Sequence, residues 1–304
     1  MPPIKYIDRV SGKKEIDKVY AEAALRFFYG DGISSRFFGR PINYLWARNP
    51  IFSSMYGWWQ SLSCTKRNVR TFIERYGVDA SEFEDSVDSF SSFNEFFIRK
   101  LKASARPIAA GNGVAVIPAD GRYLFFPNIQ TSEGFLVKGK KFNLSTLLDN
   151  ENLPEDYREG TMVIARLCPS DYHRFHFPCD STPNAAELIN GWLYSVNPIA
   201  IKRDIDIFTQ NKRTLTHLDG SPFGKVLYIE VGATNVGSIT QTYAPNQFQA
   251  KGKEKGYFSF GASTLILLFP PNSIVLDSDL LAASHQGIEI KCLMGQSMGK
   301  KLSD

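Results

Sequence analysis

The sequence is poor in the residues that hold metals or form covalent links. Its 304 residues include only four cysteines and four histidines. No two cysteines form a CxxC pair, which argues against a zinc ribbon or a dithiol redox motif. We therefore expect reduced, mostly buried thiols, as in proteins of a reducing compartment.

Long hydrophobic runs are also lacking. The longest apolar stretch, residues 265–275, is interrupted by Pro270 and Pro271, and a membrane-spanning helix needs roughly 20 apolar residues. The N-terminus has no apolar segment typical of a secretory signal. The formal net charge of +4 is compatible with anionic lipid. We expect a protein that would lie on a membrane surface, and we expect no nucleic-acid partner.

Aromatic residues are abundant, with 23 phenylalanines among them. Residues 1–105 are predicted to be helical: residues 21–29 are good helix formers and end at glycines, and residues 41–62 form a second segment. This second segment is rich in Tyr and Trp and is flanked by arginines. Aromatic rings interleaved with arginines are typical of interfacial membrane helices. A helix packed against its own domain is the alternative.

The pattern changes after residue 105, near Arg106-Pro107. Short apolar runs alternate with Gly, Pro and Asn turns, which predicts a largely antiparallel β domain. We therefore expect an α+β protein, with a helical membrane-docking region at 1–105 and a mainly antiparallel β catalytic domain at 106–304. The predicted strands are Gly113–Ile117, Tyr123–Phe126, Met162–Leu167, Gly191–Val196, Val226–Val231, Ser238–Tyr243, Leu265–Phe269 and Ile288–Leu293.

Four residues are candidates for chemistry. Ser263 follows a turn and opens an apolar run, so its hydroxyl could attack the carbonyl just before it. Asp120 lies in Pro-Ala-Asp-Gly, and His173 and His176 are three residues apart. If this segment is a turn, the two histidine side chains could converge, but if it is a strand, they would point to opposite faces. An acid, two imidazoles and a nucleophilic hydroxyl include all the groups that a serine-activating triad requires.

Other interpretations of these residues stay open at this stage. The serine of a lone Ser-Thr pair usually makes a hydrogen bond within a turn, and Asp120 could be a turn aspartate. A metal-dependent hydrolase with Asp120, His173 and His176 as zinc ligands is a further alternative.

Six segments, in order, make the chain resemble the phosphatidylserine decarboxylases of the bacterial, pyruvoyl-dependent type, in the proenzyme form. They are spread over about two thirds of the sequence, and the coincidence of all six is far more specific than any one. They are Phe93–Lys100, Pro118–Gly121, Asp171–His176, Leu193–Pro198, Val231–Ser238 and Gly261–Thr264.

The resemblance implies roles for the candidate residues. Asp120 would orient His176, the general base, and Ser263 would attack the carbonyl of residue 262. The chain would break between 262 and 263, and Ser263 would become a pyruvoyl group, so that no pyridoxal phosphate is needed. That group would take up the electrons left when CO2 departs from phosphatidylserine, and His173 would return a proton to give phosphatidylethanolamine.

The sequence departs from the family pattern at Ala262, where the family normally has glycine. If the site needs a left-handed residue, alanine costs roughly 1–2 kcal/mol, so we expect slow or blocked maturation. A catalytically silent membrane-binding relative is the alternative. The resemblance also suggests a homodimer, peripheral on the cytoplasmic face of the cell membrane, whose aromatic and basic N-terminal helices meet anionic lipid.

Overall fold

The computed structural model describes residues 4–20, 22–30, 32–130, 143–149, 153–201, 204, 206–233, 239–261 and 263–302. Helices and mainly antiparallel strands both occur, so the predicted α+β class is confirmed. The strands are β1 Lys5–Asp8, β2 Lys14–Ile16, β3 Val114–Val116, β4 Gly121–Phe126, β5 Thr161–Leu167, β6 Arg174–His176, β7 Thr182–Pro183, β8 Glu187–Ile189, β9 Arg213–Asp219, β10 Val226–Val231, β11 Ile239–Gln241, β12 Glu254–Phe258, β13 Ser263–Phe269, β14 Ile274–Leu276, β15 Glu289–Cys292 and β16 Ser297–Lys301. The α-helices are α1 Glu22–Tyr29, α2 Arg40–Arg48, α3 Pro50–Gln60, α4 Asn68–Tyr76, α5 Phe93–Phe97, α6 Leu144–Leu148, α7 Pro198–Ile201, α8 Ile207–Gln210 and α9 Ser278–His285. A π-helical turn spans Ser35–Gly39, and 3₁₀ turns span Ser63–Arg67, Ala80–Glu82, Val87–Ser89, Ala103–Ala105 and Leu153–Tyr157.

A ten-stranded sheet forms the centre of the described chain. Its order is β2-β1-β15-β4-β5-β13-β10-β9-β7, with β8 also paired to β9. Neighbouring strands are antiparallel except for the parallel pair of β1 and β15. Two three-stranded sheets, β11-β12-β6 and β14-β16-β3, complete the β structure.

Strand β13 lies inside the large sheet, hydrogen-bonded to β5 on one side and to β10 on the other. All seven of its residues are buried. Ser263 is its first residue and pairs with Leu167. The strand predicted at Leu265–Phe269 is therefore confirmed, and it begins two residues earlier, at Ser263.

The structure differs from the sequence-based prediction in several segments, two of which are described here. The region predicted to be helical begins with β1 and β2, and β1 pairs with β15, almost three hundred residues away in the chain. Local periodicity gives no signal for such a long-range pairing. The predicted strand Gly191–Val196 is an irregular segment, because the side-chain amide of Asn211 bonds both the N–H and the C=O of Tyr194 in place of a neighbouring strand.

The excess of phenylalanine has a structural role. A second hydrophobic cluster, here called the aromatic cluster, lies under the N-terminal helices. Its buried members are Val69, Phe72, Phe83, Phe90, Phe93, Phe96, Phe97 and Phe260. The cluster thus joins the helices to the segment that leads into Ser263, and part of the aromatic content belongs to a core.

Several other aromatic residues of the helical region face outward. Phe37, Phe38 and Trp58 are 70%, 64% and 66% exposed. Within the described ranges, no helix combines the length and the apolar character that crossing a membrane requires. The four cysteines are free, and all except Cys64 are buried, as predicted.

Candidate active site

Ser263 lies at a buried point that the N-terminal helices help to shape. Its side chain is fully buried, and its Oγ has no hydrogen-bond partner among the described residues. The segment before it is held by α5, because the side chain of Asn94 accepts a hydrogen bond from Phe260 N at 3.1 Å. Gly261 has φ of +147°, a backbone conformation that favours glycine. Ala262 lies outside the described residues.

His173 is buried against α5 and close to this segment. Its ring stacks on Phe97 with 3.9 Å between centroids. Its Nδ1 lies 3.1 Å from the carbonyl oxygen of Asp171, and because a carbonyl only accepts, Nδ1 carries the proton. Nε2 has no hydrogen bond among the described residues. Burial lowers the pKa of His173 to about 4, although the backbone of Gly261 and Asp171 favour the protonated ring.

His176 is the last residue of β6 and is also buried. Its Nδ1 donates to the carbonyl of Gly252 at 3.1 Å, so Nε2 is left to accept from the Tyr172 hydroxyl at 3.3 Å. Burial lowers the pKa of His176, while Glu254 and Asp120 act in the opposite direction. The sequence did not decide whether the two histidines lie on a strand or on a turn. In the structure, His176 is on strand β6 and His173 comes just before that strand.

Asp120 is held by groups that the sequence interpretation did not include. Its carboxylate pairs with Arg106 at 2.6 Å and accepts from the Met294 amide at 2.8 Å. Arg106 also pairs with Glu82 at 2.8 Å. The side chains of Asp120 and His176 share no hydrogen bond, but the carboxylate is near enough to favour protonation of the imidazole.

Metal binding by these residues has no geometric support. Among the residues with described positions, no three or more His, Cys, Asp or Glu side chains are grouped so that they could hold a metal ion. Asp120, His173 and His176 instead have the separate partners given above.

Two cavities adjoin these residues. One, of about 140 Å³, is mainly apolar and is lined by Leu25, Phe28 and Gly261, among others. The second, of about 470 Å³, is polar and is lined in part by Asp120 and Tyr172. The first therefore reaches from α1 to the residues just before Ser263, while the second reaches Asp120.

Two lysines of the basic run at residues 251–256, which precedes Ser263, are bonded to other parts of the fold. Lys255 is fully buried, and its Nζ pairs with Glu230 at 2.5 Å. Lys251 Nζ donates to the carbonyl of Gly111 at 2.6 Å. Gly252, between them, supplies the carbonyl that fixes the tautomer of His176.

Sequence reasoning did not single out Arg99, Asp171 and Tyr172, although they surround the two histidines. Asp171 supplies the carbonyl that binds His173, and Tyr172 bonds His176. Arg99 bonds the carbonyl of Asp171. The available signal was their position within the Phe93–Lys100 and Asp171–His176 segments.

Comparisons with known proteins identify the family of the chain. The family model described as phosphatidylserine decarboxylase matches residues 93–300. A Chlamydia pneumoniae protein named phosphatidylserine decarboxylase proenzyme is 49% identical over 296 residues, covering 97% of each chain. Proteins of the same name from Chlamydia felis and Chlamydia muridarum are 47% and 46% identical, with 100% and 98% of this chain and 100% and 97% of their own lengths covered. The chain therefore belongs to the phosphatidylserine decarboxylase family.

Proposed function

We propose that this protein decarboxylates phosphatidylserine to phosphatidylethanolamine by means of a pyruvoyl group that it makes from Ser263. Its membership of the family supports the reaction and the substrate. The observation that carries the site is the buried hydroxyl of Ser263 at the start of strand β13, which has no hydrogen-bond partner among the described residues. A buried hydroxyl without a partner is costly, so its persistence indicates a chemical task.

The first reaction would be self-cleavage. Ser263 Oγ attacks the carbonyl carbon of residue 262, the C–N bond breaks, and the upstream chain is transferred to the serine oxygen as an ester. Loss of the Ser263 α-proton then expels the upstream chain as a carboxylate. The dehydroalanine that remains tautomerises, and water releases ammonia to leave the pyruvoyl group.

His176 suits the role of base in this step. Its ring is neutral, its lone pair is on Nε2, and the field of Asp120 favours the imidazolium that would form. The bond from Tyr172 to Nε2 is long, at 3.3 Å, so it can be given up when Nε2 takes the serine proton. Arg106 and Met294 keep the Asp120 carboxylate in place.

The residues present fit a pyruvoyl group at position 263. Two buried polar atoms of this site, Ser263 Oγ and His173 Nε2, have no hydrogen-bond partner in the part of the chain that the structure describes, and the apolar cavity reaches Gly261. The pyruvoyl ketone would supply the electron sink for loss of CO2 from the serine head group. His173 Nε2, which is unprotonated, would first take up a proton from the substrate ammonium and then return it to the α-carbon, and the burial of His173 excludes bulk water from that step.

Intact-mass analysis of the purified protein tests the proposal. Cleavage between 262 and 263 gives a 42-residue fragment, 263–304, with a carbonyl-reactive N-terminus. Ser263→Ala should remain intact, whereas Ser259→Ala, a matched nearby serine variant, should be cleaved. The matured protein should convert phosphatidylserine in mixed micelles to phosphatidylethanolamine. Maturation of Ser263→Ala, or a matured chain with no decarboxylase activity, would refute the proposal.

Ala262 should slow this maturation. Alanine adds a methyl group beside the attacked carbonyl and disfavours a left-handed backbone. We expect Ala262→Gly to mature faster than the unchanged chain in a time course of fragment release. If neither chain matures, the catalytically silent membrane-binding relative becomes the better description.

The helices would bring the protein to the lipid. Exposed aromatic residues on and between α1, α2 and α3 are accompanied in this part of the sequence by exposed cations such as Arg36 and Lys66, which is the composition of an interfacial surface. We propose peripheral attachment to the cytoplasmic face of the membrane.

Phe37→Ser/Phe38→Ser should reduce flotation with anionic vesicles, and Phe248→Ser, at an equally exposed phenylalanine in the loop before β12, should not. A homodimer stays a prediction, to be checked by light scattering.

A further inference from the structure

Arg99 is a buried cation at the centre of the candidate site. Its side chain is stacked against the rings of Phe83 and Phe96, with the guanidinium carbon 5.0 and 4.9 Å from their centroids. The residue is 4% exposed. Within the described chain it has no carboxylate at ion-pair distance, although Asp120 and Asp171 act on it electrostatically. Buried charges without a paired charge are costly, so a specific use is expected.

The guanidinium holds the turn that carries His173. Nη2 donates to the carbonyls of Ser170 and Asp171 at 3.1 and 3.2 Å. The Asp171 carbonyl is also the acceptor for His173 Nδ1 at 3.1 Å. A single carbonyl oxygen therefore receives both the arginine and the imidazole.

The rest of Asp171 is fixed independently. Its carboxylate accepts from Arg122 Nη1 at 2.5 Å and from the Cys168 amide at 2.7 Å. Arg99 is thus needed for the orientation of the Asp171 carbonyl rather than for the attachment of its side chain. The positive charge of the guanidinium also acts against protonation of His173 and so lowers its pKa.

We infer that Arg99 is a positioning residue that fixes His173 as the Nδ1–H tautomer with an unprotonated Nε2. The charged groups that face His173 are Arg99, from the segment after α5, and Asp171, from its own turn. The ring of Phe97 and the backbone of Phe258 and Gly261 supply its uncharged neighbours. The catalytic consequence rests on the proposed function, but the tautomer does not.

Imidazole nitrogen NMR tests this inference without any turnover. The Ser263→Ala proenzyme gives a uniform, uncleaved sample, and His173→Gln assigns the His173 signals. We expect the Nδ1–H pattern in this background. In Arg99→Met, which retains bulk, the pattern should become a mixture of tautomers, and the His173 titration should move to higher pH because a nearby cation is gone. Arg99→Lys retains the positive charge but lacks the planar set of guanidinium N–H donors. It should therefore also give a mixture of His173 tautomers, but with a smaller shift of the His173 titration.

A matched control is available in Arg213. It is also buried and also donates to backbone carbonyls, those of Leu147, Thr146, Thr209 and Asn211. Arg213→Met should leave the His173 signals unchanged. Circular dichroism and a thermal melt on each variant identify any that fail to fold. If Arg99→Met does not fold, the comparison is made with Arg99→Lys alone.

Kinetics on the matured enzyme give the second readout. In the Ala262→Gly background, Arg99→Met should lower kcat by about 10- to 100-fold, the usual effect of misplacing a catalytic group, with KM nearly unchanged. Unchanged His173 signals in folded Arg99→Met and Arg99→Lys would overturn the inference. Failure of the parent chain to mature or turn over would instead refute the proposed function and would leave the NMR result standing.

Discussion

At the scale of single residues, the buried pair of Lys255 and Glu230 shows how far composition can mislead. Both side chains are fully buried, and Thr216 and Gln241 bond the same ammonium at 3.0 and 2.8 Å. Burial lowers the pKa of Lys255, while Glu230 favours its charged form. The sequence shows only a run of lysines and glycines, because Glu230 is 25 residues away and on another strand.

Breaking this pair should be strongly destabilising. Lys255→Met leaves the Glu230 carboxylate buried without its cation, and the expected loss is about 3–5 kcal/mol of unfolding free energy. Urea unfolding of the Ser263→Ala proenzyme measures this loss. The exposed Lys253 provides the control, since Lys253→Met should change stability by less than about 0.5 kcal/mol. A loss equal to that of the control would show that the pair does not stabilise the fold.

Stability should also depend on the protonation of His173. Its pKa is about 4 in the folded protein against 6.5 for the free side chain. The unfolded chain therefore binds more protons between these values, so the unfolding free energy should fall as the pH is lowered from 6.5 towards 4. In the Ser263→Ala background, urea midpoints across this range should slope less steeply after His173→Gln. An identical slope in both proteins would show that His173 does not titrate as described.

Candidate residues could be recognised from the sequence, whereas their partners could not. Ser263, Asp120 and the two histidines lie in short segments whose composition suggests chemistry. The contacts of Asp120 with Arg106 and Met294 depend on the fold, since Met294 is 174 residues away. Hydrophobic periodicity and local motifs cannot predict contacts between residues so far apart in the sequence.

At the scale of elements, the close packing of β12 between β11 and β6 positions His176. Gly256 of β12 pairs with Phe175 and with Gln241. A Cβ atom there would lie 2.2 Å from the carbonyl oxygen of Thr240 and 2.8 Å from the ring of Phe175. The glycine therefore permits the approach of two strands beside the histidine.

Gly256→Ala should disturb this sheet. We expect a loss of about 1–3 kcal/mol from overpacking, together with slower self-cleavage because β6 carries His176. Gly57→Ala is the matched control, because a Cβ on Gly57 in α3 meets no atom within 4 Å, and alanine in a helix is favoured by about 0.5–1 kcal/mol. Thermal melts and fragment release compare the two. Equal behaviour would show that β12 and β6 can separate without cost.

Sequence reasoning succeeded for elements with a local signal. The apolar runs of β5, β10 and β13 were predicted because their residues are buried on both faces. The two N-terminal strands were not predicted, since Lys5–Asp8 and Lys14–Ile16 are short and mostly charged. They owe their conformation to the edge offered by β15, which a local pattern cannot reveal.

At the scale of the whole molecule, the proposed cleavage point would divide the chain but not the fold. The segment 263–304 contributes β13, β14, β15 and β16. Strand β13 lies between β5 and β10, β15 lies between β1 and β4, and β16 pairs with β3. Residues from both sides of residue 262 therefore share two sheets and one core.

The two fragments should consequently remain together after cleavage. Separating them would break the hydrogen bonds of β13 with two neighbours and expose a strand whose seven residues are all buried, at a cost of roughly 25 cal/mol for each Å² of apolar surface. Native mass spectrometry and gel filtration of the matured protein should give a particle that contains both 1–262 and 263–304, which urea separates only as the fold is lost. The uncleaved Ser263→Ala protein is the reference for elution volume. Dissociation of the short fragment in buffer alone would show that the covalent link at 262–263, rather than the shared sheet, holds the C-terminal strands in place.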